Sequence, residues 1–325
     1  VNILLTGATG GLGRNTAFHL REHGHQVRCV GRDPAALALL AHDGFDAVSA
    51  DLSDAPLEPL MTDIDIVVHA AARSSVWGNL ADFERDNVLA TKRLVEASIV
   101  CGARRFVHVS TPSLLYRPRD QFGLRETDTL PAPANHYAHT KAQAESVLRE
   151  AASRIEVVGI RPRGLYGPWD TALFPRLARA NAQRAIPLVR GGRFKIDLTG
   201  MPNAVEALSA CLTSPTSSLG TFHHVSDGAP IGFRDAVEGV FGALGIPVRW
   251  RPMPALLLAL VARVSESVAR VRGATEPVLT RYSAGVLSYA QTLDLESAKQ
   301  HLQWEPRHVW TENVQAYARW WKEHQ

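Results

Sequence analysis

The sequence predicts an α/β chain: a doubly wound parallel sheet of the Rossmann type, followed by a smaller C-terminal substrate domain. Three observations lead there. Short apolar runs alternate with helical stretches over about the first 160 residues, the pattern of parallel βαβ units. The first run opens into a glycine-rich loop, TGATGGLG at 6–13. After Gly167-Pro168 the rhythm breaks, and prolines 168, 175, 187, 202, 215 and 230 punctuate shorter elements. The expected division is 1–163 for the dinucleotide-binding part and 164–325 for the substrate part, with segments of the second returning to the first.

The elements follow in order. Ile3-Leu4-Leu5 reads as a buried strand ending at the glycines, and 12–23 as a helix closed by Gly24. Residues 26–30 form a second strand, 35–41 a helix and 47–50 a short third strand. The run 65–69 is continuously apolar after its first residue, as a strand covered on both faces should be. A helix over 82–100, a strand over 106–110, a helix over 137–152 and a strand over 157–160 complete the sheet. Residues 254–271 also read as helical. Leu257, Val261, Val264, Val268 and Val271 share one face, and Arg263, Glu266 and Arg270 another. The expected role is a packed helix with its charged side in solvent; the alternatives are a lid over an apolar substrate, or a face for membrane or a second subunit. Trp310, Trp320 and Trp321 fall in a terminal helix and are expected to pack on the core.

Composition excludes several classes. The 325 residues are 46% hydrophobic and 21% charged, with net charge +3. Scattered arginines without an aromatic platform do not make a nucleic-acid surface. Cys29, Cys101 and Cys211 are far apart and form no CxxC, so neither a zinc ribbon nor a disulfide framework is signalled. A reducing, cytoplasmic setting is expected. The longest apolar run, 255–262, is far short of the ~20 residues needed to span a bilayer. No metal site is expected. His136 and His139 lack a third ligand, and His223 and His224 point to opposite faces of a strand.

Gly7, Gly10 and Gly13 form GxxGxxG between a strand and a helix. The tight turn and the close approach of a pyrophosphate need residues without Cβ, and the helix start presents free N–H groups. Gly7, Thr9, Gly10, Gly11, Leu12 and Gly13 are the expected loop contacts. An NAD site usually ends its second strand with a carboxylate that holds the ribose hydroxyls. Here Gly31 takes that place and Arg32 follows, suited to a 2′-phosphate. NADP(H) is favoured and NAD(H) left open, because Asp33 is adjacent and could turn inward. Asp51 and Leu52 are placed to contact adenine. Ala70 and Ala71 are small enough for the cofactor to pass.

Tyr137 and Lys141 lie four apart on a predicted helix and so share a face. A nearby ammonium favours phenolate over phenol, so the tyrosine pKa is expected to fall. Tyr137 then serves as acid/base in hydride transfer, and Lys141 also suits the nicotinamide ribose. Thr111, at the end of a buried strand, either holds the substrate oxygen near Tyr137 or simply caps the strand.

TGATGGLG, Asp51-Leu52, HAAA (69–72), Asn87-Val88, VSTPS (109–113), YAHTK (137–141) and RPRGLYGP (161–168) resemble the extended short-chain dehydrogenases/reductases in order and spacing. The resemblance runs nearly end to end. It implies a triad of Thr111, Tyr137 and Lys141, a supporting Asn87, Pro162 near the nicotinamide, and a homodimer through a four-helix contact. Dehydratases of that superfamily usually carry Asp-Glu after the catalytic Thr, where Pro112-Ser113 stand here. Sugar-nucleotide enzymes typically have Asn where Gly164 stands and Arg-Asp-Phe where Ile196-Asp197-Leu198 stand. The 109–116, 195–208 and 276–306 stretches instead resemble the 3β-hydroxysteroid dehydrogenase branch, with the bacterial 2-alkyl-3-ketoalkanoate reductases as the nearest pattern. The resemblance implies reduction of a hydrophobic ketone, steroid-like or β-keto-acid-like; a nucleotide-sugar epimerase or dehydratase is the alternative. A cofactor-binding sensor ranks last, because Tyr and Lys are both intact. Ser113 and Arg163 are the expected substrate contacts, Arg163 either binding a carboxylate or pairing with Asp170 or Glu145.

Overall fold

The computed structural model describes residues 1–271 and 276–324. The first half contains β1 (Asn2–Thr6), α1 (Gly11–Glu22), β2 (Gln26–Gly31), α2 (Pro34–His42), β3 (Asp46–Ser49), β4 (Ile66–His69), α3 (Leu80–Phe83), α4 (Ala90–Val100), β5 (Arg105–Val109), β6 (Gln121–Leu124), α5 (His136–Ala151) and β7 (Glu156–Pro162). The second continues with β8 (Leu165–Tyr166), α6 (Phe174–Arg184), β9 (Ile186–Leu188), β10 (Lys195–Ile196), β11 (Thr199–Gly200), α7 (Met201–Thr213), β12 (Phe222–Val225) and β13 (Ile231–Gly232). It ends with α8 (Phe233–Ala243), β14 (Trp250–Pro252), α9 (Ala255–Val271), α10 (Arg281–Val286), β15 (Gln291–Leu293) and α11 (Trp310–Glu323).

The main sheet runs β12-β7-β5-β4-β1-β2-β3, parallel throughout. The inner strands bury both faces, whereas the edge strand β3 has no fully buried residue. Ile3 and Leu5 pack on one side with Ala17 and Leu20 of α1 and Leu208 of α7. Leu4 packs on the other with Leu94 of α4 and Leu148 of α5. The strand order reverses between β1 and β4, and such a switch point leaves a crevice at the carboxyl ends of the strands. The glycine loop and Ala70 lie there.

A second sheet, β13-β10-β15-β6, borrows β6 from the first half, while β12 comes from the second half to join the main sheet. A boundary at 163 therefore divides the sequence more cleanly than it divides the structure. Trp310, Trp320 and Trp321 of α11 pack against the core of this second part, around Phe174, Phe241 and Tyr317.

Two elements depart from the sequence reading. The helix expected over 82–100 starts at Leu80, where the Asn79 side chain accepts the Ala81 N–H, and passes through a π turn over Glu84–Leu89. The wider turn carries Asp86 and Asn87 inward, where both are buried. In α9 Arg263 and Arg270 are exposed as expected, but the rest of the expected packing is not observed. The aliphatic face points to solvent, with Val264 55% and Val268 42% exposed. Glu266, expected outside, is buried; its carboxylate accepts the Arg281 N–H at 2.7 Å and the Arg281 guanidinium at 2.9 Å. That pair fastens α9 to α10 from within. No helix among the described residues is long and apolar enough to cross a membrane.

Candidate active site

The glycine loop is shaped by the chain around it. Gly7 has φ +70°, and a Cβ there would lie 2.6 Å from the Ala71 nitrogen. A Cβ on Gly13 would strike the Gly7 carbonyl. These two glycines let the loop fold between the β1 and β4 ends. Helix α1 begins after Gly10 with no side-chain cap, so its first N–H groups remain available to an anion. Beside them, Gly7, Gly31, Arg32, Asp51, Leu52, Ala71 and Asp86 line a small recess. Small residues, orphaned amides and a closing Asp/Arg pair together fit a dinucleotide with its adenosine end in that recess.

The recess answers the question about Asp33. Its carboxylate accepts the N–H groups of Ala35 and Ala36 and caps α2, so it does not turn inward. Gly31 itself packs closely on Thr9, and any side chain there would force the Thr9 side chain to move, since a Cβ would sit 2.7 Å from its methyl group. Arg32 is half-exposed at the rim, 3.4 Å from Asp86 and 3.6 Å from Asp51. Asp86 also meets Arg73 at 3.0 Å and Arg85 at 2.8 Å. Burial pushes the Asp86 carboxyl up, but the Arg85 hydrogen bond and the charges of Arg32 and Arg73 outweigh it and hold the group below the usual range.

The residues expected at the reacting end lie on and under α5. Its first turn is capped by Asn135, whose side chain accepts the Ala138 N–H at 2.8 Å. Lys141 is fully buried, and its Nζ donates to His108 Nε2 at 2.9 Å and to the Val109 carbonyl at 2.7 Å. Burial pulls this ammonium down to about 7. Burial, helped by the Lys141 charge, also holds His108 far below its ordinary value, so it is the neutral acceptor of that bond. The expected lowering of Tyr137 by Lys141 is not what the structure shows. Burial pushes the Tyr137 phenol up to about 12, with the Thr111 hydroxyl working against the shift and Tyr282 adding to it. The physical reason is that two acceptors on β5 hold the ammonium, while burial dominates the environment of the phenol.

Thr111 takes the capping role of the two anticipated. It caps a short turn by accepting the Ser113 N–H at 3.2 Å, and its hydroxyl donates to Ser113 Oγ at 3.0 Å. Ser113 in turn shares a 2.8 Å hydrogen bond with the Tyr282 hydroxyl. Thr111, Ser113, Pro162, Arg163 and Tyr282 line one cavity of about 230 Å³, whose other walls include Phe174, Leu198, Phe233 and Val237. Asn87 stands behind the site. It accepts the Arg73 N–H at 2.7 Å and donates to the Arg73 carbonyl and to Thr140 Oγ1, so it pins the 73 loop to α5. All of its polar atoms are engaged, which makes it a positioning residue.

Arg163 is the unusual group in the cavity. It is 8% exposed, its Nε has no partner, and burial lowers its pKa. Neither anticipated ion pair exists. Glu145 is held by Arg161 at 2.6 Å and Arg149 at 2.8 Å. Asp170 accepts the N–H groups of Ala172, Leu173 and Phe174 at the start of α6. His223 and His224 are likewise separated, the first bonding Ser297 and the second the Leu124 carbonyl.

The pattern of the NAD dependent epimerase/dehydratase family matches residues 3–222. The chain belongs to this family. In sequence the chain is similar to the uncharacterized protein YbjS of Escherichia coli, 33% identical over 100% of this chain and 98% of that protein. A 2-alkyl-3-oxoalkanoate reductase of Stenotrophomonas maltophilia is 31% identical over 94% of this chain and 95% of its own length. Among solved structures, UDP-glucuronic acid 4-epimerase from Bacillus cereus in complex with NAD superposes with a TM-score of 0.76 at 21% identity, covering 99% of this chain and 97% of that one. At that identity the likeness shows the shared extended fold of the family.

Tyr282 and His108 escaped the sequence reading. Tyr282 reaches Ser113 from 169 residues away, on a short helix with no motif of its own. His108 lay within the β5 run, where a buried strand residue gives no local sign that a lysine will cross to it.

Proposed function

We propose that this chain is an NADP(H)-dependent oxidoreductase that interconverts a ketone and a secondary alcohol on a hydrophobic acid of the β-keto type. One observation carries the reading: the cavity beside Thr111 is apolar on most sides but contains a buried guanidinium that forms no ion pair among the described residues, with the Asp197 carboxylate on the same wall attracting it only from a distance. Leaving such a charge unpaired is costly, and a substrate carboxylate would relieve it. The two relatives named 2-alkyl-3-oxoalkanoate reductase, at 31% and 27% identity, support the same chemistry. A nucleotide diphosphate finds less here. Gly164 has φ +56°, and a Cβ on it would press on the Leu198 side chain.

The bound dinucleotide supplies the hydride. The chain's own residues do the rest. Thr111 and Ser113 orient the substrate oxygen. Tyr137, protonated across the neutral range, gives its proton to that oxygen as the alcohol forms. Lys141, held by His108 and Val109, keeps a further N–H for the ribose. The aliphatic walls exclude water, which strengthens each of these polar contacts.

The test is a cofactor-coupled assay of β-keto acids, matched neutral ketones and steroids with NADPH and NADH in parallel. Arg163→Met is expected to raise KM for a keto acid about 10- to 100-fold, the worth of a lost charge-assisted hydrogen bond, with little change for the neutral ketone of equal chain length. Equal effects on both substrates would refute the carboxylate role. Stabilisation by UDP in a thermal-shift experiment would favour a nucleotide sugar instead.

Cofactor choice has its own test. Arg32→Ser is expected to raise KM for NADPH about 10- to 100-fold by removing the partner of the 2′-phosphate, while KM for NADH stays within a few-fold. Steady-state kinetics with both dinucleotides reads this directly, and an unchanged NADPH value refutes the preference.

A further inference from the structure

Helix α9 turns its aliphatic face away from the protein. Leu256 is 87% exposed and Leu260 57%, and Leu257, Val261, Val264 and Val268 flank them. At about 100° per residue these six cover one continuous arc opposite the buried side chains Leu258, Ala262 and Ala269. No charged residue interrupts the arc. Arg263 and Arg270 lie together along one border of it, and Arg249 and Arg251, both exposed, precede the helix.

The charge around the face is one-sided. The nearby carboxylates are each engaged: Glu266 with Arg281 and Arg270, Glu276 with Arg176, and Glu238 with Arg234. Arg249, Arg251 and Arg263 have no carboxylate partner among the described residues; the Arg249 guanidinium reaches only the Ala182 carbonyl. An apolar stripe with the unpaired Arg263 guanidinium on its border, and the exposed, carboxylate-free Arg251 ahead of the helix, is complementary to an anionic interface with an apolar interior.

Size separates a lipid surface from a second copy of the chain. The helix has 17 residues and is therefore about 25 Å long, with a diameter of about 10 Å. Two such faces packed together would bury on the order of 500 Å², well below the ~1,200 Å² at which specific interfaces begin. A bilayer surface needs no matching partner face. A helix of this kind lies in the headgroup region with its apolar side about 5–10 Å deep.

We infer that α9 is a membrane-surface helix that docks the protein on anionic phospholipid through Leu256, Leu260 and Val264, with Arg251 and Arg263 at the headgroups. The placement has a consequence for access. A cleft of about 790 Å³ opens along the Ala255, Ala259 and Arg263 side of α9, and Tyr282 lines both this cleft and the smaller cavity that contains Thr111. A docked molecule would hold that opening beside the lipid, where long-chain compounds partition. The binding itself does not rest on the proposed reaction.

The experiment is co-sedimentation of the full chain with vesicles of phosphatidylcholine alone and of phosphatidylcholine mixed with phosphatidylglycerol. Binding to the mixed vesicles is expected, weakening as salt rises. The triple variant Leu256→Ser/Leu260→Ser/Val264→Ser and the double variant Arg251→Glu/Arg263→Glu should each bind about 10-fold less or weaker. All five positions are exposed, and thermal unfolding checks that the variants are folded. Three results would overturn the inference: no binding to mixed vesicles at low salt, equal binding by the triple variant, or a solution dimer that only the triple variant abolishes. Because the readout is sedimentation, its failure leaves the ketone assay untouched, and failure of that assay leaves this one standing.

Discussion

Tyr137→Phe is expected to lower kcat for ketone reduction about 10²- to 10⁴-fold, the range that a positioned general acid contributes. The phenyl ring still fills its place on the first turn of α5, so dinucleotide affinity, read by fluorescence titration, should hardly change. A loss of affinity in step with the loss of rate would mean that the ring supports binding and not proton transfer. The pH dependence carries the same assignment. Burial holds the Tyr137 phenol at about 12, so the acid form needed for reduction persists throughout the neutral range. The reverse reaction needs phenolate, and its kcat/KM should rise with pH up to the tyrosine pKa. Tyr137→Phe should remove that rise. A variant within a few-fold of the parent, with the pH profile intact, would exclude Tyr137 as the proton donor.

Glu145→Ala should cost about 3–5 kcal/mol of folding stability, the usual consequence of removing one member of a buried ion pair. Glu145 is 1% exposed and Arg161 2%. Two hydrogen bonds join them, at 2.8 and 2.6 Å, and Ser110 donates to the same carboxylate. Arg161 Nη1 already lacks a partner. The variant would strand the whole guanidinium beneath α5 and loosen Ser110 beside Thr111. Denaturant unfolding measures the loss. Glu145→Ala/Arg161→Met should recover much of it, because two apolar groups replace a lone buried charge. Equal stability of the parent and the single variant would show that water reaches Arg161. The pair also explains why Glu145 does not meet Arg163: two residues earlier, Arg161 has taken that carboxylate.

Sequence patterns identified the elements that depend on local chemistry. The glycine spacing, the apolar strands and the Tyr137/Lys141 pair each reflect short-range rules, since a turn without Cβ or an i,i+4 face involves only neighbouring residues. The main sheet accordingly has the expected strands within a residue or two at most ends. The helix over 82–100 was legible as a helix but not as one with a π turn, because one extra residue in a turn leaves the hydrophobic period nearly intact. Helix α9 shows the limit most clearly. Its two faces were legible, but which one meets the protein was not, because periodicity defines a stripe without naming its partner.

The sequence by itself determined the α/β class and the glycine turn after β1, which follow from contacts within a turn or a βαβ unit, and its motifs carried the resemblance to the extended family to which the chain belongs. Only the tertiary structure decided that Lys141 points to His108 and Val109, that Glu145 belongs to Arg161 and that Tyr282 reaches Ser113. Each joins groups whose meeting depends on how strands and helices pack, and the choice among several available partners was made by burial, which leaves a charge or donor only the acceptors that the fold brings to it.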